Sequence, residues 1–115
     1  MFYVPRREFE GLVATALDQI PPDLAALVDN VVFRVEDWPP PGEYLLGLYQ
    51  GIPLTERGTN YAGTLPDTIW IYRMPILQLC HSPAEIIEEV RFTVVIEIAN
   101  NLGIDEDRLQ ELGYG

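Results

Sequence analysis

The chain has few of the residues that most often build redox and metal sites. Among 115 residues there is one cysteine, Cys80, and one histidine, His81. A single cysteine excludes an intramolecular disulfide and a zinc site made of several cysteines, and a single histidine excludes a site that needs several imidazoles. These shortages favour a reducing compartment, and we expect a soluble cytoplasmic protein.

Positive charge is also scarce. The seven basic residues, all of them arginine, stand against eighteen acidic residues, which gives a formal net charge of -11. Phosphate backbones and anionic lipids attract cationic surfaces, so this balance argues against nucleic acid or a membrane surface as a partner. No run of about 18 apolar residues is free of charge, and no signal-peptide stretch follows the N-terminus, so we predict no membrane span and no secretion.

The length fits one domain, which we expect to cover residues 1–115, and the residue pattern predicts mixed secondary structure. Two helices are expected first, over 5–20 and 22–28, with prolines between them. Runs of β-branched and aromatic residues predict three strands: 31–35, 44–49 and 68–72. Proline and glycine predict two loops between the strands: 37–42 and 55–60.

The clearest local signal is the segment Ser82-Pro83-Ala84-Glu85. The serine can cap a helix, the proline suits its first position and the glutamate can reach back to the start. We predict a helix from here to about Leu102, ended by Gly103 in the left-handed conformation, and a short helix over 105–112. The fold class expected is therefore α+β, with a small mixed or antiparallel sheet packed on a long helix.

The end of the long helix carries a motif. Ile96 and Asn100 are one turn apart on one helical face, with Glu97 beside them, and Gly103 and Glu106 follow. This segment resembles the extended zincin motif H-E-x-x-H-x-x-G-x-x-D/E, in which two imidazoles bind zinc and the glutamate activates the bound water. Glu97, Gly103 and Glu106 match that pattern, whereas Ile96 and Asn100 stand at the histidine positions.

Other stretches resemble the small bacterial zincin-like metallopeptidases in the same order and spacing. They are 45–49, 51–57, 61–63, 65–67, 103–105, 108–109 and 111–114. The resemblance implies a minimal zincin-like fold whose long helix is the former active-site helix. Members of that family read approximately H-E-I-A-H-H where this chain reads Ile-Glu-Ile-Ala-Asn-Asn over 96–101.

The departures from the motif predict that zinc binding is lost. Isoleucine has no lone pair to donate, and an amide oxygen is a poor zinc ligand beside imidazole. Ile96, Asn100 and Glu106 are therefore interpreted as former ligand positions, and we expect no metal and no other cofactor. Without a zinc-bound water Glu97 has nothing to deprotonate, so we interpret it as vestigial and expect no peptidase activity.

Three hypotheses follow for what such a chain does. The first is an engineered, metal-free scaffold that binds a protein, because three histidine positions in one short run carry uncharged replacements of similar size. The second is a natural, degenerate zinc metallopeptidase homologue. The third is an artificial metal-free enzyme with Glu97 as its general base.

The resemblance implies that a partner would bind along an edge strand of the substrate cleft. We assign that role to the strand that carries Trp70, since Trp, Tyr and Met are enriched at the centres of interfaces. The predicted contact residues are Trp70, Tyr72, Met74, Pro75, Ile96 and Asn100. The alternative is that Trp70 packs under the proline loop, against Trp38. Cys80 is expected to be a buried apolar side chain rather than a nucleophile paired with His81.

Overall fold

The computed structural model describes residues 2–51 and 66–111. The predicted loop over 55–60 lies outside these residues. In chain order the elements are helix α1 (Arg6–Asp18), helix α2 (Pro22–Ala25) with a 3-10 turn (Ala26–Val28), strands β1 (Val31–Glu36), β2 (Gly47–Gln50) and β3 (Asp67–Tyr72), and helices α3 (Arg73–Leu79), α4 (Pro83–Leu102) and α5 (Glu106–Glu111).

The three strands form one mixed sheet in the order β1-β3-β2. Strand β3 is parallel to β1 and antiparallel to β2, so it is hydrogen-bonded on both sides. The expected α+β class with a small mixed sheet is confirmed. The prediction that the strand of Trp70 is an edge strand is wrong, because β1 and β2 occupy both of its edges.

Alternation along β3 divides its side chains between two faces of the sheet. Ile69 and Ile71 are fully buried and belong to the hydrophobic core. Trp70 lies between them in sequence, so its side chain points to the opposite face, together with Thr68 and Tyr72. The β-strand period thus sets the orientation of Trp70 with respect to the core.

Helix α4 forms one side of the core, and both of its ends follow the predicted signals. The Ser82 hydroxyl accepts a hydrogen bond from the Glu85 amide at 3.1 Å, and Gly103 has a φ of 68°. The helix contacts α1, α3, β2 and β3. Its buried side chains are Ile86, Val90, Thr93, Val94, Val95, Ile98 and Ala99. Among the helices described, none has the length and apolar character needed to cross a membrane.

Helix α3 was not expected from the sequence. Arg73 begins it directly after β3, and Pro75 occupies its third position, where a backbone amide has no partner within the helix. Arg73 is buried: its Nε donates to Asp37 Oδ1 at 2.9 Å and its Nη1 to the carbonyl of Val4 at 2.6 Å. This guanidinium holds the pKa of Asp37 below its ordinary value. The helix is thereby tied to the chain before α1 and to the loop after β1.

Strand β2 approaches α4 so closely that only glycine fits at Gly47. A Cβ atom there would lie 2.8 Å from Thr93 Cγ2 and 2.9 Å from the carbonyl oxygen of Trp70. We predict that Gly47→Ala lowers the free energy of unfolding by about 1–3 kcal/mol through overpacking, measured by urea denaturation.

The matched control is Gly11→Ala in α1, where a Cβ would meet nothing within 4 Å. Alanine is the better helix former, so the free energy of unfolding of this variant is expected to rise by about 0.5–1 kcal/mol. Equal stabilities for the two variants would contradict the close approach of β2 to α4.

Candidate functional site

The motif residues lie where the sequence predicts, on the C-terminal half of α4 and just after it. Ile96 and Glu97 are half-buried and Asn100 is exposed, all within the helix. Glu106 is exposed in the first turn of α5. The helical period therefore places Ile96 and Asn100 on one face, as expected.

The carboxylate of Glu97 is engaged by the backbone of β2. Its Oε1 accepts a hydrogen bond from the amide of Tyr49 at 2.8 Å. The amide of Tyr72 donates to the carbonyl of Leu46, so the alternation of the antiparallel ladder turns the amide of Tyr49 away from β3. Glu97 thus accepts from a backbone donor that does not bond to β3, a role that sequence reasoning did not assign to it.

The side chains around Glu97 do not fit a zinc ion. Ile96 offers no donor atom, and Asn100 offers only an amide. His81 precedes α4 while Glu97 lies near its other end, about 24 Å away at 1.5 Å per residue. In residues 2–51 and 66–111 no three side chains of the His, Cys, Asp and Glu types come together as a metal site.

Trp70 lies at a pocket rather than on a flat surface. Its Nε1 donates to Gln50 Oε1 at 2.9 Å, and it lines a pocket of about 490 Å³ together with Trp38 and the three prolines that follow Trp38. The alternative prediction placed Trp70 by the proline loop and Trp38, and these residues line one pocket with it. Trp38 itself is 56% exposed.

Several of the other predicted contact residues are not surface anchors. Tyr72 is only 4% exposed, and Pro75 is buried in the first turn of α3. Met74 is half-buried and packs against the core. The burial of these three residues argues against the predicted partner contact through them, and Met74 and Pro75 lie in helix α3 rather than at the end of a strand.

Trp70 and the former cleft also do not form one surface. Trp70 points away from the sheet face that carries Ile69 and Ile71, whereas Ile96 and Asn100 belong to the helix packed on the core side. The sheet separates the two groups of residues. The prediction of one continuous contact through Trp70, Ile96 and Asn100 therefore needs correction, and each group has to be considered separately.

Cys80 and His81 do not form a catalytic pair. Cys80 is 3% exposed and belongs to the core, as predicted, while His81 is exposed and its amide donates to Glu85 Oε1 at 3.2 Å. Burial, with a smaller effect of Glu89 and Glu85, raises the pKa of the Cys80 thiol to about 11. The thiol is therefore protonated at neutral pH and behaves as an apolar side chain.

Comparison with known proteins agrees with this architecture. A family model described as zincin-like metallopeptidase matches residues 28–115, and the chain belongs to that family. Among solved structures, a conserved hypothetical protein from Thermo thermophilus is similar, with a TM-score of 0.58 and 23% sequence identity, over 86% of this chain and 94% of that chain. At that identity the likeness concerns the fold. No curated protein matches the chain.

The bond between Glu97 and Tyr49 can be tested by substitution. We predict that Glu97→Ala lowers the free energy of unfolding by about 1.5–3 kcal/mol, because a charge-assisted bond is lost, and that the amide of Tyr49 exchanges faster with solvent. Glu97→Gln keeps an oxygen acceptor, so it is expected to lower the free energy of unfolding by less than Glu97→Ala does. Urea denaturation and NMR hydrogen exchange measure the two effects.

The control for this pair is Glu88→Ala, which removes an exposed glutamate from the same helix. It is expected to change stability by less than about 0.5 kcal/mol. Unchanged exchange at Tyr49 in Glu97→Ala would show that the carboxylate does not hold the edge of β2.

Cys80 lies just before the start of α4, and its burial predicts that the thiol reacts slowly with reagents in solution. With a pKa of about 11, roughly one thiol in a thousand is ionised at pH 8, and the side chain is buried as well. We expect the native protein to react with a disulfide reagent such as DTNB at least 100-fold more slowly than the same protein in concentrated urea. Equal rates in the two states would contradict the burial of Cys80.

Proposed function

We propose that this chain is a non-catalytic member of the zincin-like family that holds no zinc and binds a protein partner. The observation that carries the proposal is the state of the motif on α4. Ile96 and Asn100 occupy the positions of the imidazole ligands, and the Glu97 carboxylate is hydrogen-bonded to the Tyr49 amide. The motif residues here act in the packing of α4 on β2.

The donor set supports the loss of zinc chemistry. Tight zinc sites in proteins use imidazole, thiolate and carboxylate ligands, usually three or four together. The chain has one imidazole, at the far end of α4, and one thiol, which is buried and protonated. The carboxylates of Glu97 and Glu106 alone do not make a tetrahedral site. Glu97 as the base of a metal-free enzyme would first have to leave the Tyr49 amide.

A binding role is supported by the aromatic surface on the other side of the sheet. Trp38 is largely exposed, and it lines one pocket with Trp70 and the proline loop. Tryptophan buries a large apolar area on contact and is enriched among the residues that contribute most to interfaces. On this proposal the fold serves as a scaffold, whether its histidines were replaced by engineering or lost in a natural homologue.

The metal part of the proposal is tested by zinc titration. We expect the unmodified protein to bind no stoichiometric zinc at micromolar concentrations. The double variant Ile96→His with Asn100→His places two imidazoles one turn apart, with Glu106 at the third position of the family spacing, so it is expected to bind zinc at least tenfold more tightly than the unmodified chain.

The matched control is Glu88→His with Phe92→His, which places two imidazoles at the same spacing on an exposed part of α4. It should bind zinc more weakly than the restored motif, since no third ligand follows at the family spacing. Stoichiometric zinc in the unmodified protein, measured by elemental analysis after purification, would overturn the proposal.

A further inference from the structure

The pocket beside the proline loop is built from aromatic and proline side chains on the outer face of the sheet. We call it the aromatic pocket. It is lined by Glu36, Trp38, Trp70 and Tyr72, by side chains of β2 and by the prolines that follow Trp38. Strands β1, β2 and β3 each contribute to it, so its floor is the hydrogen-bonded sheet and one wall is the loop after β1.

The charge around the aromatic pocket is negative. Glu36 lines it, and both Glu43 and Glu36 act on the hydroxyl of Tyr72 at its floor, where burial and then these two carboxylates raise the pKa of the phenol. No arginine is among its described lining residues. Arg34 pairs with Trp70 across the strands and lines a neighbouring groove against α1, which shares Glu36 and Trp70 with the aromatic pocket.

Two indoles and a phenol next to carboxylates suit one kind of ligand. The face of an aromatic ring is electron-rich and attracts a cation within about 6 Å, and tryptophan does so most strongly. An arginine guanidinium is planar and weakly hydrated, so it can stack on an indole while it pairs with a carboxylate. An anionic side chain would meet Glu36 and Glu43, and the neighbouring cation, Arg34, lines the adjoining groove rather than the aromatic pocket.

We propose that the aromatic pocket binds an arginine or lysine side chain of a basic peptide segment in the partner, between the indoles of Trp38 and Trp70 and the carboxylate of Glu36. This inference rests on the proposed protein-binding function and names the chemistry of the partner. A second copy of this chain does not suit the pocket, because each copy brings a net charge of -11.

The two tryptophans make the pocket easy to observe. The chain has only Trp38 and Trp70, and both line this pocket. Trp70 also lines the groove against α1 and Trp38 does not, so a shift of both indole N–H signals in an NMR spectrum marks the aromatic pocket. The probe is a capped pentapeptide with one arginine between glycines, and the matched peptides carry glutamate or leucine instead. We expect the arginine peptide to shift both indole signals in a saturable way and the other two to shift neither.

Charge-neutral variants test the role of the carboxylates. Glu36→Gln with Glu43→Gln is expected to weaken binding of the arginine peptide at least fivefold, because the attraction is electrostatic. The control, Glu8→Gln with Glu88→Gln, makes the same change in net charge at exposed positions of α1 and α4 and is expected to weaken it less than twofold. Trp38→Ala, at an exposed position, is expected to abolish saturable binding.

Each result decides the inference. Equal shifts with the leucine peptide, or equal weakening by the two double variants, would overturn the cation preference and leave a binding surface of another chemistry. No indole shift with the arginine peptide would overturn the inference as well. The non-catalytic role is judged separately, by the zinc titration, so failure of one proposal does not decide the other.

Discussion

The contact between α4 and strand β2 fixes how the long helix sits on the sheet. At Gly47 the absence of a side chain lets Thr93 reach the strand, and one turn further along α4 the carboxylate of Glu97 accepts the amide of Tyr49. Thr93 and Glu97 are four residues apart, so they lie on the same helical face. The helix is therefore set on the sheet both by steric fit and by a charge-assisted bond to the backbone.

This contact also gives the glutamate of the motif a structural role in the packing of α4 on β2. In the zincin motif the glutamate acts on a zinc-bound water, which requires the imidazole ligands on either side of it. Here the positions on either side carry Ile96 and Asn100, and the same carboxylate accepts a hydrogen bond from the amide of Tyr49 in β2. A half-buried acid is tolerated because it has a partner.

The sheet gives the molecule two separate faces with different chemistry. One face carries Ile69 and Ile71 into the core beneath the helices, and the other carries Trp70 towards the proline loop. A face covered by α4 cannot share a continuous contact with the face opposite it. On the motif side Glu97 packs α4 against β2, while the opposite face carries the aromatic pocket with Glu36 among its lining residues.

The sequence alone determined those helix ends that are set by residues close together in the chain. Ser82, Pro83 and Glu85 mark the start of α4 and Gly103 its end, because capping and the left-handed conformation are local effects. The short helix at Arg73–Leu79 has too few residues to show a period, and its first residue is held by distant groups, Asp37 and Val4. Only the tertiary structure decided which strand is central and what Glu97 binds. Each of these depends on segments that are far apart in the chain, and spacing along the sequence carries no information about which of them meet.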